Sequence, residues 1–170
     1  MAETTAWSAE DVFAAAPDGD GDIPLWLLRS GDATANAPFN DPERAWLAAQ
    51  KFTGGAKKLV QLPTRDCTLA SVALGLGDGA AGEPSGPSEL LTGLLAQSLP
   101  ATTYRFAEQP GHATLAAIAW GLGAYRFQRY RSGADTTAAR PRLRIPAGVN
   151  AAHVINTTEA VWFGLSLIHI

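Results

Sequence analysis

Apolar positions fall into two rhythms along the chain. IPLWLLRS, from Ile23, is an unbroken apolar run of strand length, the pattern of a strand covered on both faces. AKKLVQLP from Ala56 and TLASVALGLG from Thr68 read as two further strands, parted by the turn-forming PTRDC. TTYRF from Thr102 is another. In RLRIP, Arg142 and Arg144 alternate with Leu143 and Ile145, so one face is buried and the other wet, as at an edge or near-edge strand. Between these runs the period lengthens. In NDPERAWLAAQKF, Asn40 or Asp41 is placed to cap a helix with Pro42 in its first turn, and FTGG closes it. PSELLTGLLAQS, Pro87 to Ser98, predicts a helix with Leu90, Leu91, Leu94 and Leu95 facing inward. Asn150 caps a last helix, on which Val154, Ile155, Val161, Trp162 and Leu165 recur at helical spacing.

The segment from His112 differs. Leu115, Ile118, Leu122 and Tyr125 form one stripe, and Ala116, Trp120, Ala124 and Phe127 form a second, so this helix is covered on two sides. Gly121 and Gly123 each cost about 1 kcal/mol relative to alanine in a helix, which predicts a backbone or large ring packed close against them. The fold class is therefore α/β, with sheet strands and helices between them. No internal repeat or heptad pattern interrupts it.

The length of 170 residues, close to half of them apolar, suits one globular domain. We divide it into a polar N-terminal segment (1–22), an α/β domain (23–149) and a terminal helix with an atypical tail (150–170). Cys67 is the single cysteine and has no internal disulfide partner; on a loop before a strand it reads as buried filler. The acidic start MAETTAWSAEDVFA lacks an export signal, which points to a reducing, cytoplasmic setting. The run Ala113 to Tyr125 is shorter than the ~20 residues a membrane span needs.

Charge is uneven. Residues 1–125 carry 7 basic and 14 acidic side chains, whereas residues 126–144 carry six arginines against Asp135. Such a cluster can hold phosphates, with Tyr125, Phe127 and Tyr130 as stacking rings. Helical geometry sends those rings in different directions, and Arg126, Arg129 and Arg131 equally suit a helix C-terminus, where cations meet unbonded carbonyls.

Other motifs fail on spacing. DGDGD, Asp18 to Asp22, has Ile23 and Arg29 where a calcium loop needs glycine and glutamate, and so reads as a turn. Gly77 to Gly82 matches GxGxxG, but the two prolines that follow delay the helix a dinucleotide site requires. His112, His153 and His169 form no HxxxH or HExxH pair, and neither a GxSxG elbow nor a Walker loop occurs.

AAIAWGLGAYRFQRYR, followed by RLRIP and by EAVWFG, resembles the end of the N-terminal domain of the leucyl (cytosol) aminopeptidases, whose bacterial members carry a helix of the type AWxLGxYRFxRY. The order of elements from Pro24 to Gly164 is similar too. The resemblance implies a macro-domain-like α/β domain, a mixed β-sheet flanked by helices, placed before a separate catalytic domain. It also implies a di-metal exopeptidase, using zinc or manganese, that removes N-terminal amino acids from peptides. Family members are usually hexamers, and some bind DNA. Trp120, Tyr125, Arg126, Phe127, Arg129, Tyr130 and Arg131 are the motif residues and interface candidates. The family's metal and catalytic motifs, such as NTDAEGR, have no counterpart here, so the chain is expected to hold no metal or catalytic residue of its own and to be inactive alone.

The family continues after EAVW with an arginine-aspartate pair and Leu-Ile-Asn-Thr-Pro, whereas Phe163 is followed here by GLSLIHI. This departure leads us to expect a fragment ending before its catalytic half, with an apolar tail that self-associates. The catalytic domain would be its main partner, with a role in assembly and active-site access. Two rivals remain: a free-standing macro-like module binding ADP-ribose through the glycine-rich stretch after Gly75, and DNA binding through the arginine cluster.

Overall fold

A computed structural model describes residues 8–15, 19, 21–31, 39–78, 88–125 and 139–168. Its six strands are β1 (Phe13–Ala14), β2 (Ile23–Arg29), β3 (Leu59–Pro63), β4 (Leu69–Gly77), β5 (Thr103–Phe106) and β6 (Arg142–Arg144), and its helices are α1 (Asp41–Ala49), α2 (Leu95–Ser98), α3 (Ala113–Gly123) and α4 (Ala151–Ile168). Short 3-10 helices precede β1 (Ala9–Val12) and α2 (Ser88–Leu94). The strands form one sheet in the order β1-β6-β5-β2-β4-β3, parallel throughout except for β3, which runs antiparallel along β4. The sheet is mixed, as the family resemblance implies.

Side-chain alternation sends each central strand to two cores. Val72, Leu74 and Leu76 of β4 join Leu25, Tyr104, Leu143 and Trp120 on one face, covered by α2, α3, α4 and both 3-10 helices. Ala73 turns the other way, with Leu28, Val60, Leu62, Phe39, Phe52 and Leu47 of α1. Covering on both faces explains why β4 is buried from Ser71 to Gly77 and reads as a continuous apolar run. Asn40 caps α1 as expected: its side chain accepts from Glu43 N at 2.9 Å, and Asn40 N donates to Glu43 Oε2 at 2.8 Å. Asn150 accepts from His153 N at 3.1 Å at the start of α4.

The glycines of α3 stand at close approaches, Gly123 against the backbone of Gly93 and Gly121 against the side chains of Thr158 and Phe13. A methyl on Gly123 would lie 1.9 Å from the carbonyl oxygen of Gly93, and one on Gly121 would lie 2.5 Å from Thr158 Oγ1 of α4. Thr92 Oγ1 donates to Ala116 O at 2.7 Å across the first of these contacts.

Four expectations need correction. Leu90 and Leu94 are 38% and 44% exposed, while Glu89, Leu91, Thr92 and Leu95 are buried. The segment winds as a 3-10 helix with a three-residue repeat, and Thr92 with Gly93 approaches α3 more closely than leucines allow. Val161 is 38% exposed because Thr158 and Trp162 take the inner face of α4. Within the segment set apart as polar, Ala9, Val12 and Phe13 enter the core and β1 pairs with β6. Cys67 is exposed, in a turn where its φ is +60° and its N–H donates to Thr64 O at 3.1 Å.

Candidate functional site

The chain leaves adjacent strands in opposite directions. After β2 it crosses to α1 on one face of the sheet, and after β5 it crosses to α3 on the other. Between parallel strands whose connections diverge in this way a crevice opens at their carboxyl ends, the place where such sheets hold ligands. A cavity of about 330 Å³ lies there, walled by Trp26 to Arg29 at the end of β2, Leu76 at the end of β4, and Glu108 to Gly111 in the loop after β5. Glu89, from the first turn of the 3-10 helix, closes one side.

The polar groups of this crevice are linked in series. Arg29 Nη2 donates to Ser88 Oγ at 3.4 Å, and Ser88 Oγ donates to Glu89 Oε2 at 3.3 Å. Glu89 is only 6% exposed, and that long contact is the one hydrogen bond of its carboxylate among the described residues. Arg29 and Glu108 are exposed at the rim. Sequence reasoning missed all three residues. They lie apart along the chain, and the signal they offered is weak: Arg29 and Glu108 stand at or just beyond the ends of predicted strands, whereas Glu89 stands in the first turn of a predicted helix.

The aromatic-arginine motif has a different setting. Trp120 is wholly buried, with its ring 5.9 Å from that of Tyr104 and its Nε1 donating to Val12 O at 3.2 Å, so it has no surface to offer a partner. Tyr125 is half-buried against Trp162, with ring centroids 6.0 Å apart. Arg126, Phe127, Arg129, Tyr130 and Arg131 lie outside the described residues.

The carbonyls at the end of α3 do receive donors: Trp162 Nε1 to Gly121 O at 3.0 Å, Gln97 Nε2 to Gly123 O at 2.7 Å, and Arg140 Nη1 to Ala124 O at 3.3 Å. Arg142 donates twice to Phe13 O, at 2.5 and 3.0 Å, tying β6 to β1. Arg144 pairs with Asp22 through two bonds and reaches Ala15 O. Half of the arginine cluster thus ties secondary structure together.

The Arg144 guanidinium is the main cause holding the Asp22 carboxyl below the usual range; burial opposes it, and a bond from Gly19 N supports it. With Asp22 N donating to Gly19 O at 3.0 Å, this end of the DGDGD segment is a turn tied to β6. Burial pushes the Tyr104 phenol up to about 12, and its hydroxyl donates to Pro100 O at 2.9 Å.

A two-metal centre needs several carboxylates converging on cations about 3.5 to 4 Å apart. Among the described residues no three of His, Cys, Asp or Glu come together in that way, and His112 and His153 are both exposed. These residues do not fit such a centre. Among the described residues no helix is long and apolar enough to cross a membrane.

Comparison with known proteins agrees with the architecture. The cytosol aminopeptidase of Coxiella burnetii superimposes with a TM-score of 0.61 at 20% identity, over 89% of this chain and 31% of that one. A tomato leucine aminopeptidase mutant gives 0.63 at 18% identity, over 91% and 36%. The bottromycin maturation enzyme BotP in complex with Mn gives 0.53 at 16% identity, over 83% and 29%. The chain therefore spans about a third of the length of each of these structures. No curated protein sequence matches it. Residues 21–146 match the family described as M17 aminopeptidase, N-terminal domain, and the chain belongs to that family.

Proposed function

We propose that this chain is the non-catalytic N-terminal domain of a leucyl aminopeptidase-like metallo-exopeptidase, acting in the cytoplasm in assembly and in access to the active site. The match of residues 21–146 to the N-terminal domain family carries the reading. The two divalent cations and the residues that activate water belong, on this view, to a following catalytic domain, and peptide substrate meets the chain only through it.

The end of α4 supports a role in assembly. Phe163 is 67% exposed and Leu167 50%, a larger apolar surface than a solitary helix end needs. A neighbouring domain, or a second subunit of a hexamer, would cover it, alongside the arginine-rich segment from Arg126 to Arg144. Sedimentation of the purified chain over a range of concentrations tests this. Association that weakens in Phe163→Glu supports it, and a monomer at high concentration overturns it.

The nucleotide-binding and DNA-binding readings fare worse physically. Two carboxylates, Glu89 and Glu108, against Arg29 in the crevice repel a diphosphate. Arg140, Arg142 and Arg144 already bond within the fold, which leaves less of the cluster for a phosphate backbone. Calorimetry with ADP-ribose, and DNA binding at low salt, would each reverse that ranking if positive.

A further inference from the structure

We infer that the crevice at the carboxyl ends of β2, β4 and β5 is a binding site for a free α-amino acid with an apolar side chain, held as its zwitterion. The buried carboxylate is the starting point. Glu89 is more than nine-tenths buried, and the one hydrogen bond its carboxylate makes among the described residues, from Ser88 Oγ to Oε2 at 3.3 Å, is too long and too weak to offset the loss of hydration. Arg29 reaches this carboxylate only through the Ser88 hydroxyl, and Oε1 lies toward Gly111 in the crevice wall, so the group can still accept from a donor that is itself cationic. A ligand ammonium is such a donor, with Glu108 across the crevice adding to the negative potential.

Arg29 provides the opposite seat. It stands one hydroxyl away from Glu89 through Ser88, and its guanidinium matches a carboxylate in two-bond geometry. An ammonium and a carboxylate on one carbon span that short separation, whereas a longer amino acid with its charges further apart does not. Leu27, Leu76 and Pro110 line the remainder, an apolar wall for a side chain. The volume of about 330 Å³ lies at the small end of ligand cavities, suited to one amino acid and too small for a dinucleotide-sized molecule. A bare metal ion is excluded on donor count, since no three metal-binding side chains converge among the described residues.

Choosing a free amino acid over other zwitterions rests on the aminopeptidase reading, because cleavage of a first peptide bond releases one. The site would then bind the product of the full enzyme on a domain that does no chemistry.

Calorimetric titration of the 170-residue chain with L-leucine tests the inference, with leucinamide and N-acetyl-L-leucine as ligands lacking one charge each. Saturable binding of L-leucine is expected, weakened about tenfold or more by loss of either charge. Glu89→Gln should weaken L-leucine binding similarly. In Arg29→Gln, an exposed change that leaves the fold intact by circular dichroism, L-leucine and leucinamide should bind alike, because the group that reads the carboxylate is gone. Absence of heat with millimolar L-leucine overturns the site, as does equal binding of L-leucine and leucinamide to the unsubstituted chain. Neither result touches the non-catalytic reading, which fails instead if the same preparation hydrolyses leucyl-p-nitroanilide.

Discussion

Substituting Gly123 by alanine tests how closely the 3-10 segment is seated on α3. The added methyl would lie 1.9 Å from the carbonyl oxygen of Gly93, 2.5 Å from its carbonyl carbon and 2.6 Å from its Cα. These are backbone atoms, so no rotamer change relieves the clash. Ordinary contact begins near 3.4 Å. The two backbones must therefore separate by about 1.5 Å, and dispersion contacts along the seam weaken.

Overpacking of this kind typically costs about 1–3 kcal/mol. The separation also stretches the 2.7 Å bond from Thr92 to Ala116 O, worth about 1 kcal/mol. Against this, alanine gains about 1 kcal/mol over glycine in a helix. The net loss is about 1–3 kcal/mol, or ~2–12 °C in melting temperature for a chain of this size.

Gly164 in α4 is the control, since a methyl there meets nothing within 4 Å. Gly164→Ala should raise the melting temperature by about 2–4 °C through the same helix term alone. Thermal unfolding followed by circular dichroism measures both. A rise in melting temperature for Gly123→Ala matching that for Gly164→Ala would refute the close-packing argument.

Other expectations concern pH and two groups, Asp22 and Tyr104, whose surroundings in the fold shift their titration. The folded-state pKa of Asp22 lies below its ordinary value of 3.8, so its pairing with Arg144 stabilises the fold above that value and is lost as the pH falls through the lower folded one. Asp22→Ala should therefore cost about 1–3 kcal/mol at neutral pH, and denaturant titrations should show the gap to the parent closing in strong acid. Tyr104 shifts the other way, from 10.0 to about 12, so its contribution is complete below pH 10 and declines as the pH rises toward the folded value. In Tyr104→Phe, the fall in stability over that alkaline window should be smaller than in the parent.

Much of the fold was legible because its strongest signals are local. The apolar run from Ile23 is β2, and the Asn40 cap with Pro42 starts α1. Gly121 and Gly123 mark the two close approaches of α3, since glycine is tolerated inside a helix where a side chain does not fit.

What escaped was decided by tertiary geometry. Four leucines between Leu90 and Leu95 suggest an inward face, yet Thr92 and Gly93 hold it because a hydroxyl bond and a backbone contact with α3 need small residues there. The two residues of β1 are too few for any periodicity, and their place depends on β6, which lies about 130 residues further along. The crevice residues Arg29, Glu89 and Glu108 are gathered only by the crossing of β2 and β5 to opposite faces, which no local pattern reveals. Cys67 was placed inside by its general preference, whereas its turn conformation sets it at the surface.

The most direct test of the non-catalytic reading is an activity measurement on the purified chain. Leucyl-p-nitroanilide is incubated with it in the presence of Mn(II) or Zn(II), and nitroaniline release is followed against a metal-only blank. The account predicts no release above the blank with either metal. Metal-dependent release proportional to the amount of chain, abolished by a chelator, would contradict it.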